Sequence, residues 1–291
     1  MEVCFICHDD LDTQVVSVTT HCGHPFHYGC LRTWTITKDK DKCTCPVCRA
    51  NIGYLCPKRI NIVHPNSNLT SLPIPTDEEI VVPSLICCEN KLEEITFPEN
   101  ILDIFNLRCG CNKLTKFIIP PRFVNLQVLE VAWNRLGSLT LPPDLINLQV
   151  LDCTGTLLKE LIIPPELVSL EQLYCDKNDL QSLVIPPTLV KFDSLCCGNN
   201  KLRILVISSN SNMEFIDCSN NQLEEITIHP EWKKLDVLFC RENKLKALTL
   251  PRNVYPLKEL SCRDNKIKRM IVLDFKSLKY FDYDPNSIII F

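Results

Sequence analysis

The sequence of 291 residues holds no unbroken apolar run of the length a membrane-spanning helix needs, about eighteen residues. It also lacks a strong excess of charge of either sign. Its 31 Lys and Arg stand against 35 Asp and Glu, a net charge of −4. That weak acidity excludes the broad basic face on which sequence-independent nucleic-acid binding depends. No charged, apolar, small-residue leader precedes the first cysteine, because Met1-Glu2-Val3 runs straight into Cys4. The expected compartment is therefore intracellular and reducing, cytoplasmic or nuclear. Nor is there a Gly/Ser-rich tether. What the chain has in quantity is cysteine, nineteen residues. A reducing compartment argues against a disulfide framework, and so does the spacing. Seven cysteines fall within the first 49 residues and Cys56 follows. The other eleven recur at regular intervals, mostly in one apolar slot, where a free thiol packs as a small hydrophobe.

The first group reads Cys4-Phe5-Ile6-Cys7, Cys22-Gly23-His24, His27-Tyr28-Gly29-Cys30 and Cys45-Pro46-Val47-Cys48-Arg49. Eight thiols and imidazoles in this order suit two zinc ions, since a structural zinc site closes with four thiolate or neutral imidazole ligands. A spacing of two lets one tight turn offer both ligands to one metal. The segment is too short to bury a self-sufficient core. The metal must supply folding energy, roughly 10–16 kcal/mol in small zinc domains. Cys43 is a surplus thiol two residues before Cys45, and the Cys-Pro-x-Cys run favours Cys45 and Cys48 as the ligands. His8 and His21 are flanking residues. Lys38-Asp39-Lys40-Asp41-Lys42 alternates in charge, as a solvated loop does.

This order of ligands resembles the RING finger, in its variant with two central histidines, over residues 4–49. The resemblance implies a cross-brace. Cys4, Cys7, His27 and Cys30 would hold one zinc, and Cys22, His24, Cys45 and Cys48 the other. It also implies a docking groove for a ubiquitin-conjugating enzyme. Ile6, Trp34 and Pro46 stand where the family has an aliphatic residue before the second ligand, a Trp after the central Cys and a Pro inside the last pair. Each also has a plainer reading. Ile6 and Trp34 could fill a small core, Pro46 could shape a turn, and the whole could be a structural zinc knob. Arg49 follows the last ligand directly, where active members carry a cation bridging the conjugating enzyme and its attached ubiquitin. That is catalysis by positioning, with no covalent intermediate on the ligase.

After a join at 54–66, short and stiff or packed on the first repeat, one unit recurs about eleven times over 67–291. Aligned on Asn90, Asn112, Asn134, Asn178, Asn200, Asn221, Asn243, Asn265 and Asn286, with Thr156 in the slot once and Ser67 opening a degenerate first copy, the spacings are 21 to 23 residues. The pattern Leu148-x-x-Leu151-x-Cys153-x-x-Thr156-x-Leu158 resembles the leucine-rich repeat. Its central slot is usually cysteine here: Cys87, Cys109, Cys153, Cys175, Cys197, Cys218, Cys240 and Cys262. Each unit supplies one short strand, and neighbours bury each other's apolar faces. Successive Asn side chains are expected to form a ladder on backbone groups, with Thr156 as its weak point. The Pro-Pro runs predict an extended rather than helical outer face.

Alternation places the residues flanking the central slot on the concave face. These are Arg108, Glu130, Trp133, Asp152, Tyr174, Asp176, Asp217, Phe239, Arg241, Arg263 and Asp282, with Trp133 the best anchor for a partner. Acidic residues gather mid-array and arginines in later units. In the doublets Cys87-Cys88 and Cys196-Cys197, one thiol of each is expected to face solvent, giving Cys88 and Cys196 some reactivity. The final Ile288-Ile289-Ile290-Phe291 has no polar cap, which leaves an edge open to a partner or a second copy. The fold expected is a small zinc-stabilised α+β module (1–53) followed by a β-rich solenoid with a parallel sheet, an extended Pro-rich convex face and few helices. The function expected is a ubiquitin ligase with two Zn²⁺, partnered by a conjugating enzyme carrying ubiquitin and by a protein substrate, with no nucleic acid or membrane. The alternative is a non-catalytic adaptor with a structural zinc module.

Overall fold

The structure, a computed structural model, describes residues 3–8, 17–20, 22–27, 30–31, 34, 44–50, 58–76, 79–209, 211–251, 257–272, 277–285 and 287–290. Cys43, Asn286, Phe291 and the 38–42 loop lie outside the described residues.

In the N-terminal module, β1 (Ser17–Thr19) and β2 (Pro25–His27) form an antiparallel hairpin with Val18 opposite Phe26. Cys30, Leu31 and Trp34 are helical, the only helical residues among those described. Among the described apolar residues, Cys4, Phe26, Leu31 and Cys45 form the buried core, with Ile6, Cys22, Cys30 and Trp34 packed against them. Two of these four core residues are themselves metal-ligand types. So small a cluster cannot offset the entropy of ordering the chain without a further tie.

The solenoid begins inside the stretch expected to be the join. β3 (Lys58–Arg59) and β4 (Ile62–Val63) both pair in parallel with β5 (Ile80–Ile86), which pairs with β6 (Ile101–Arg108). From there the concave strands shorten to three residues. They are β7 (Val128–Glu130), β8 (Val150–Asp152), β9 (Gln172–Tyr174), β11 (Ser194–Cys196), β13 (Phe215–Asp217), β14 (Val237–Phe239), β16 (Glu259–Ser261) and β18 (Tyr280–Asp282). All twelve strands of this sheet run parallel with each strand beside its neighbour in the repeat order. The shared burial pattern has its cause in the pleat. From β7 to β16 the middle residue of each concave strand, from Leu129 and Leu151 to Leu238 and Leu260, points into the stack and is fully buried, while its neighbours are more open except for Ser261; the β18 counterpart, Phe281, is half-buried.

The outer face carries strands that the proline runs did not announce. β10 (Ser182–Ile185) pairs with β12 (Ile204–Ile207), and β15 (Ala247–Leu250), β17 (Arg269–Val272) and β19 (Ile288–Ile290) form a second short parallel set. The chain is extended there, as Pro requires, and bends where Pro-Pro opens a turn. Phe123 donates its N–H to Pro120, and Leu167, Leu145 and Leu189 repeat the bond to Pro164, Pro142 and Pro186.

The asparagine ladder holds the units together. The N–H groups of Leu92, Leu114, Leu158, Leu180, Leu202, Leu223 and Leu245 donate to the Oδ1 of the next unit's Asn at 2.8–3.0 Å. Each Nδ2 then donates back to the preceding unit's central-slot carbonyl at 2.9–3.0 Å. A side-chain amide has two acceptor lone pairs and two N–H donors, so it can serve both neighbours. Thr156 cannot. Its Oγ1 donates to Cys153 of its own unit at 2.6 Å and lies 3.2 Å from the Oδ1 of Asn178. Among the described residues no side-chain acceptor from position 156 reaches Leu136. At the far end Asp284 supplies the last rung described, accepting the N–H groups of Asp264 and Asn265.

Candidate functional site

The two Cys-x-x-Cys runs of the module fold the same way. His8 N–H donates to the Cys4 carbonyl at 2.8 Å and Arg49 N–H to that of Cys45 at 2.9 Å. Both closing residues are left-handed, His8 at φ 67° and Arg49 at φ 61°. Each turn thereby swings its two thiols to one side. The third ligand pair rests on the β1–β2 turn. Gly23 takes φ 84° there, and its N–H donates to the Thr20 carbonyl. The Thr20 hydroxyl, buried beneath this turn, donates to the His24 carbonyl at 3.1 Å and lies 3.0 Å from the Cys22 sulfur. Thr20 was invisible to motif reading, because it is no ligand and carries no spacing signal.

The ligand atoms of Cys22, His24, Cys45 and Cys48 all lie within 4.8 Å of one another, as do those of Cys4, Cys7 and Cys30. Ligands of one tetrahedral zinc stand roughly 3.3–3.8 Å apart, given bonds of about 2.0–2.3 Å. The residues fit. Both groups match the pairing expected from the cross-brace, bringing together residues up to 26 positions apart. The remaining expected ligand, His27, has its backbone in β2 and its side chain outside what is described. The Thr20 hydroxyl, then the His24 ring, draw the Cys22 thiol down to about 6. Burial, with the Cys7 and Cys4 thiols beside it, pushes Cys30 up to about 12. A divalent cation removes that barrier, since a coordinating thiol is deprotonated outright. Of the expected docking residues, Ile6 and Trp34 are half-buried against the same small core, and the Trp34 indole donates to the Thr44 carbonyl at 3.0 Å. Pro46 is half-buried and Arg49 exposed.

On the concave face Arg108, Glu130, Asp152, Tyr174, Asp217, Phe239 and Asp282 fall in one register column, with Cys196 and Ser261. Asp176, Arg241 and Arg263 lie two residues further along their units. Trp133 does not lie in either column. It occupies the left-handed corner before the ladder Asn, φ 57°, and is half exposed. Its ring lies against Gly155, where a Cβ would come within 2.9 Å of it, and the Lys177 ammonium is 4.9 Å from its centroid. Arg108 is engaged by Glu130 at 2.9 Å. A third column, Gln172, Ser194, Phe215, Val237, Glu259 and Tyr280, also lines this face. Period-two alternation carried back across the buried middle residue identifies it.

The cysteine column is buried throughout, and burial pushes its thiols up, Cys87 and Cys262 to about 12. The reactivity expected of Cys88 and Cys196 is corrected. Both are half-buried, burial raises both thiols, and for Cys196 the Asp176, Asp217 and Asp152 carboxylates add to it, reaching about 12. A raised pKa means little thiolate at neutral pH.

Residues 2–49 match the family described as Ring finger domain, and residues 63–128 match the BspA type leucine rich repeat region. Curated relatives align with the module. "RING finger protein PSH1" of Saccharomyces cerevisiae is 44% identical over 50 residues, 17% of this chain and 12% of that protein. "RING-H2 finger protein ATL57" of Arabidopsis thaliana is 43% identical over 51 residues, 17% of this chain and 20% of that protein. "E3 ubiquitin-protein ligase ICP0" of Human herpesvirus 1 is 31% identical over 78 residues, 27% of this chain and 9% of that protein. The chain thus spans a fifth or less of the length of these relatives. Among solved structures, the functional domain of InlJ from Listeria monocytogenes, which includes a cysteine ladder, superposes with a TM-score of 0.63 at 22% identity, covering 91% of this chain and 56% of that one. YopM from Yersinia enterocolitica superposes at 0.59 with 24% identity, covering 78% and 50%. These two likenesses speak for the fold alone. The chain carries a RING finger with two zinc sites, followed by a leucine-rich repeat solenoid. Among the described residues no helix is long and apolar enough to cross a membrane.

Proposed function

We propose that this chain is a RING-type ubiquitin-protein ligase, whose zinc module recruits a ubiquitin-conjugating enzyme and whose concave repeat face takes a protein substrate. The observation that supports this most is the position of Arg49. It closes the last Cys-x-x-Cys turn in a left-handed conformation that a branchless residue would adopt more cheaply, and its side chain stands exposed. On this reading Arg49 forks hydrogen bonds to the conjugating enzyme and to ubiquitin at once. Ile6, Trp34 and Pro46 form the apolar seat for the conjugating enzyme. The ligase contributes orientation only. A substrate lysine amine attacks the thioester carbonyl, the C–S bond breaks, the conjugating enzyme's thiolate leaves and takes up the proton the amine sheds, and an isopeptide bond remains.

The test is discharge of ubiquitin-loaded conjugating enzymes onto free lysine. Wild type accelerates discharge, and both Ile6→Ala and Arg49→Ala reduce it by about tenfold or more, the scale of one charge-assisted hydrogen bond or one buried side chain. No acceleration across a broad enzyme panel, with two zinc ions per chain measured, leaves the adaptor reading in its place.

A further inference from the structure

Mid-array, the concave face holds more negative charge than it neutralises. Asp152, Asp176, Asp217 and Glu259 enter no ion pair among the described residues. Two of these carboxylates converge. A Cβ built on Gly198 would lie 3.1 Å from Asp176 Oδ1 and 3.6 Å from Asp217 Oδ1. Gly198 thus floors a trough with a carboxylate on either side. Each of those oxygens already accepts a backbone N–H, Asp176 from Gly198 at 2.8 Å and Asp217 from Ser219 at 2.9 Å. One oxygen of each carboxylate is therefore held in place by the backbone, over a Gly198 that is itself buried.

A second observation is independent of the charge. Ser219, beside the trough, is only 6% exposed, and its Oγ has no hydrogen-bond partner. A buried hydroxyl without a partner is costly and calls for one. Ser219 lines a concave-face cavity of about 400 Å³, walled also by Asp217, Phe239, Glu259 and Tyr280. Arg241, the cation on this wall, faces Glu242 at 4.0 Å.

We propose that the Asp176–Gly198–Asp217 trough receives one arginine side chain, carried by an extended segment of a partner protein. The proposal rests on the reading that the concave face takes substrate, and it names the feature recognised. A metal ion is the poorer occupant. Among the described residues the groups of three or more ligand atoms within 4.8 Å of one another are the two cysteine-containing clusters of the module, and the aspartates form none. A planar guanidinium spans separated carboxylates with parallel N–H donors, where a compact ammonium cannot. In the Asp217 column Phe239 is the next residue on one side and Tyr174 stands beyond Cys196 on the other, so aromatic rings flank the carboxylates, as a guanidinium favours. Burial and the nearby Asp217 and Asp152 make Asp176 costly to ionise, a cost that a bound cation offsets.

The experiment measures binding alone, so that it stands apart from ubiquitin transfer. Fluorescent pools of degenerate heptapeptides, each with one fixed central residue, are titrated against the full zinc-loaded chain. The fixed residues are arginine, lysine, citrulline and glutamate. The expected result is preferential retention of the arginine pool, by about tenfold over citrulline, which keeps the shape and loses the charge. Asp176→Asn with Asp217→Asn abolishes the preference. Both substitutions keep the oxygen that accepts the backbone N–H, and a cooperative melting transition no lower than that of wild type checks the fold. Equal retention of arginine and citrulline pools, absence of retention, preference for glutamate, or a preference surviving in the double variant each overturns the proposal. Arginine preference in a chain inactive in lysine discharge would sustain this site while removing the ligase reading.

Discussion

The two regions of this chain use one residue type for opposite ends. In the module, cysteines converge from distant positions, with Cys22, His24, Cys45 and Cys48 gathered within 4.8 Å and Cys48 still open to solvent. In the repeats, the central-slot cysteines, one per unit at most, line up one above another, buried and converging on no common centre. The difference lies in what each region needs. The module has four buried core residues and must be tied by a metal. The solenoid has a continuous core from Ile62 to Met270 and needs only a small apolar filler at the slot where units press closest. Cysteine chemistry is thus decided by convergence and burial, not by number.

Removing the metal separates the two regions most sharply. Chelation should cost the module roughly 10–16 kcal/mol of folding free energy and unfold it, while the repeats stay folded. Hydrogen exchange should show protection lost in residues 3–50 and kept from 80 onward. Protection lost in both would deny their independence.

The repeats have their own tie, and it should break at lower cost. Asn178 accepts the Thr156 and Leu158 N–H groups and donates to the Cys153, Cys175 and Asp176 carbonyls. Asn178→Ala leaves several buried groups without partners and should destabilise the array by about 3–5 kcal/mol in urea unfolding. The converse change, Thr156→Asn, supplies a missing rung and should add about 1 kcal/mol. Cys175→Ser tests the filler role. It buries a hydroxyl in an apolar column and should cost about 1–3 kcal/mol, whereas Cys175→Ala should cost less. All the buried repeat thiols should resist labelling until the chain unfolds.

The smallest effect concerns charge. Burial, joined by Asp217 and Asp152 and opposed by the Gly198 N–H, raises the Asp176 carboxyl from 3.8 to about 6. The folded state then binds more protons than the unfolded state between those values, so stability falls as pH rises through that window. Asp176→Asn should stabilise the chain near pH 7.5 by about 1 kcal/mol, discounted for the part of the group open to water, and give no gain near pH 4. A melting-temperature difference independent of pH would contradict this.

Much of this was legible in sequence because its signals repeat or are rigidly spaced. Seven of the eight zinc ligands and the Asn ladder follow from residue type at fixed intervals. What escaped depends on three dimensions. Thr20 works through a hydroxyl beneath a turn, and no motif marks it. The outer-face strands β10 and β12 form where extended segments of adjacent units meet, which a pattern of prolines does not foretell. Counting residues from the strand places Trp133 on the concave face. The left-handed corner before each ladder Asn, shared by Glu89, Cys111, Lys177, Asn199, Asn220, Glu242 and Asp264, turns it to the edge instead.

The placement of the three tryptophans has an optical consequence. Trp34 lies against the module's ligands, Trp133 over Gly155 beside the incomplete rung, and Trp232 in the late repeats, 1% exposed with its indole donating to Ser208. Each indole therefore samples a different dielectric, one in the module and two at separate points of the solenoid. Emission from the unlabelled chain should resolve into three components. The Trp133 component, already half in water and quenched or released by whatever happens at Thr156, would light up the seam of the array before either end moves.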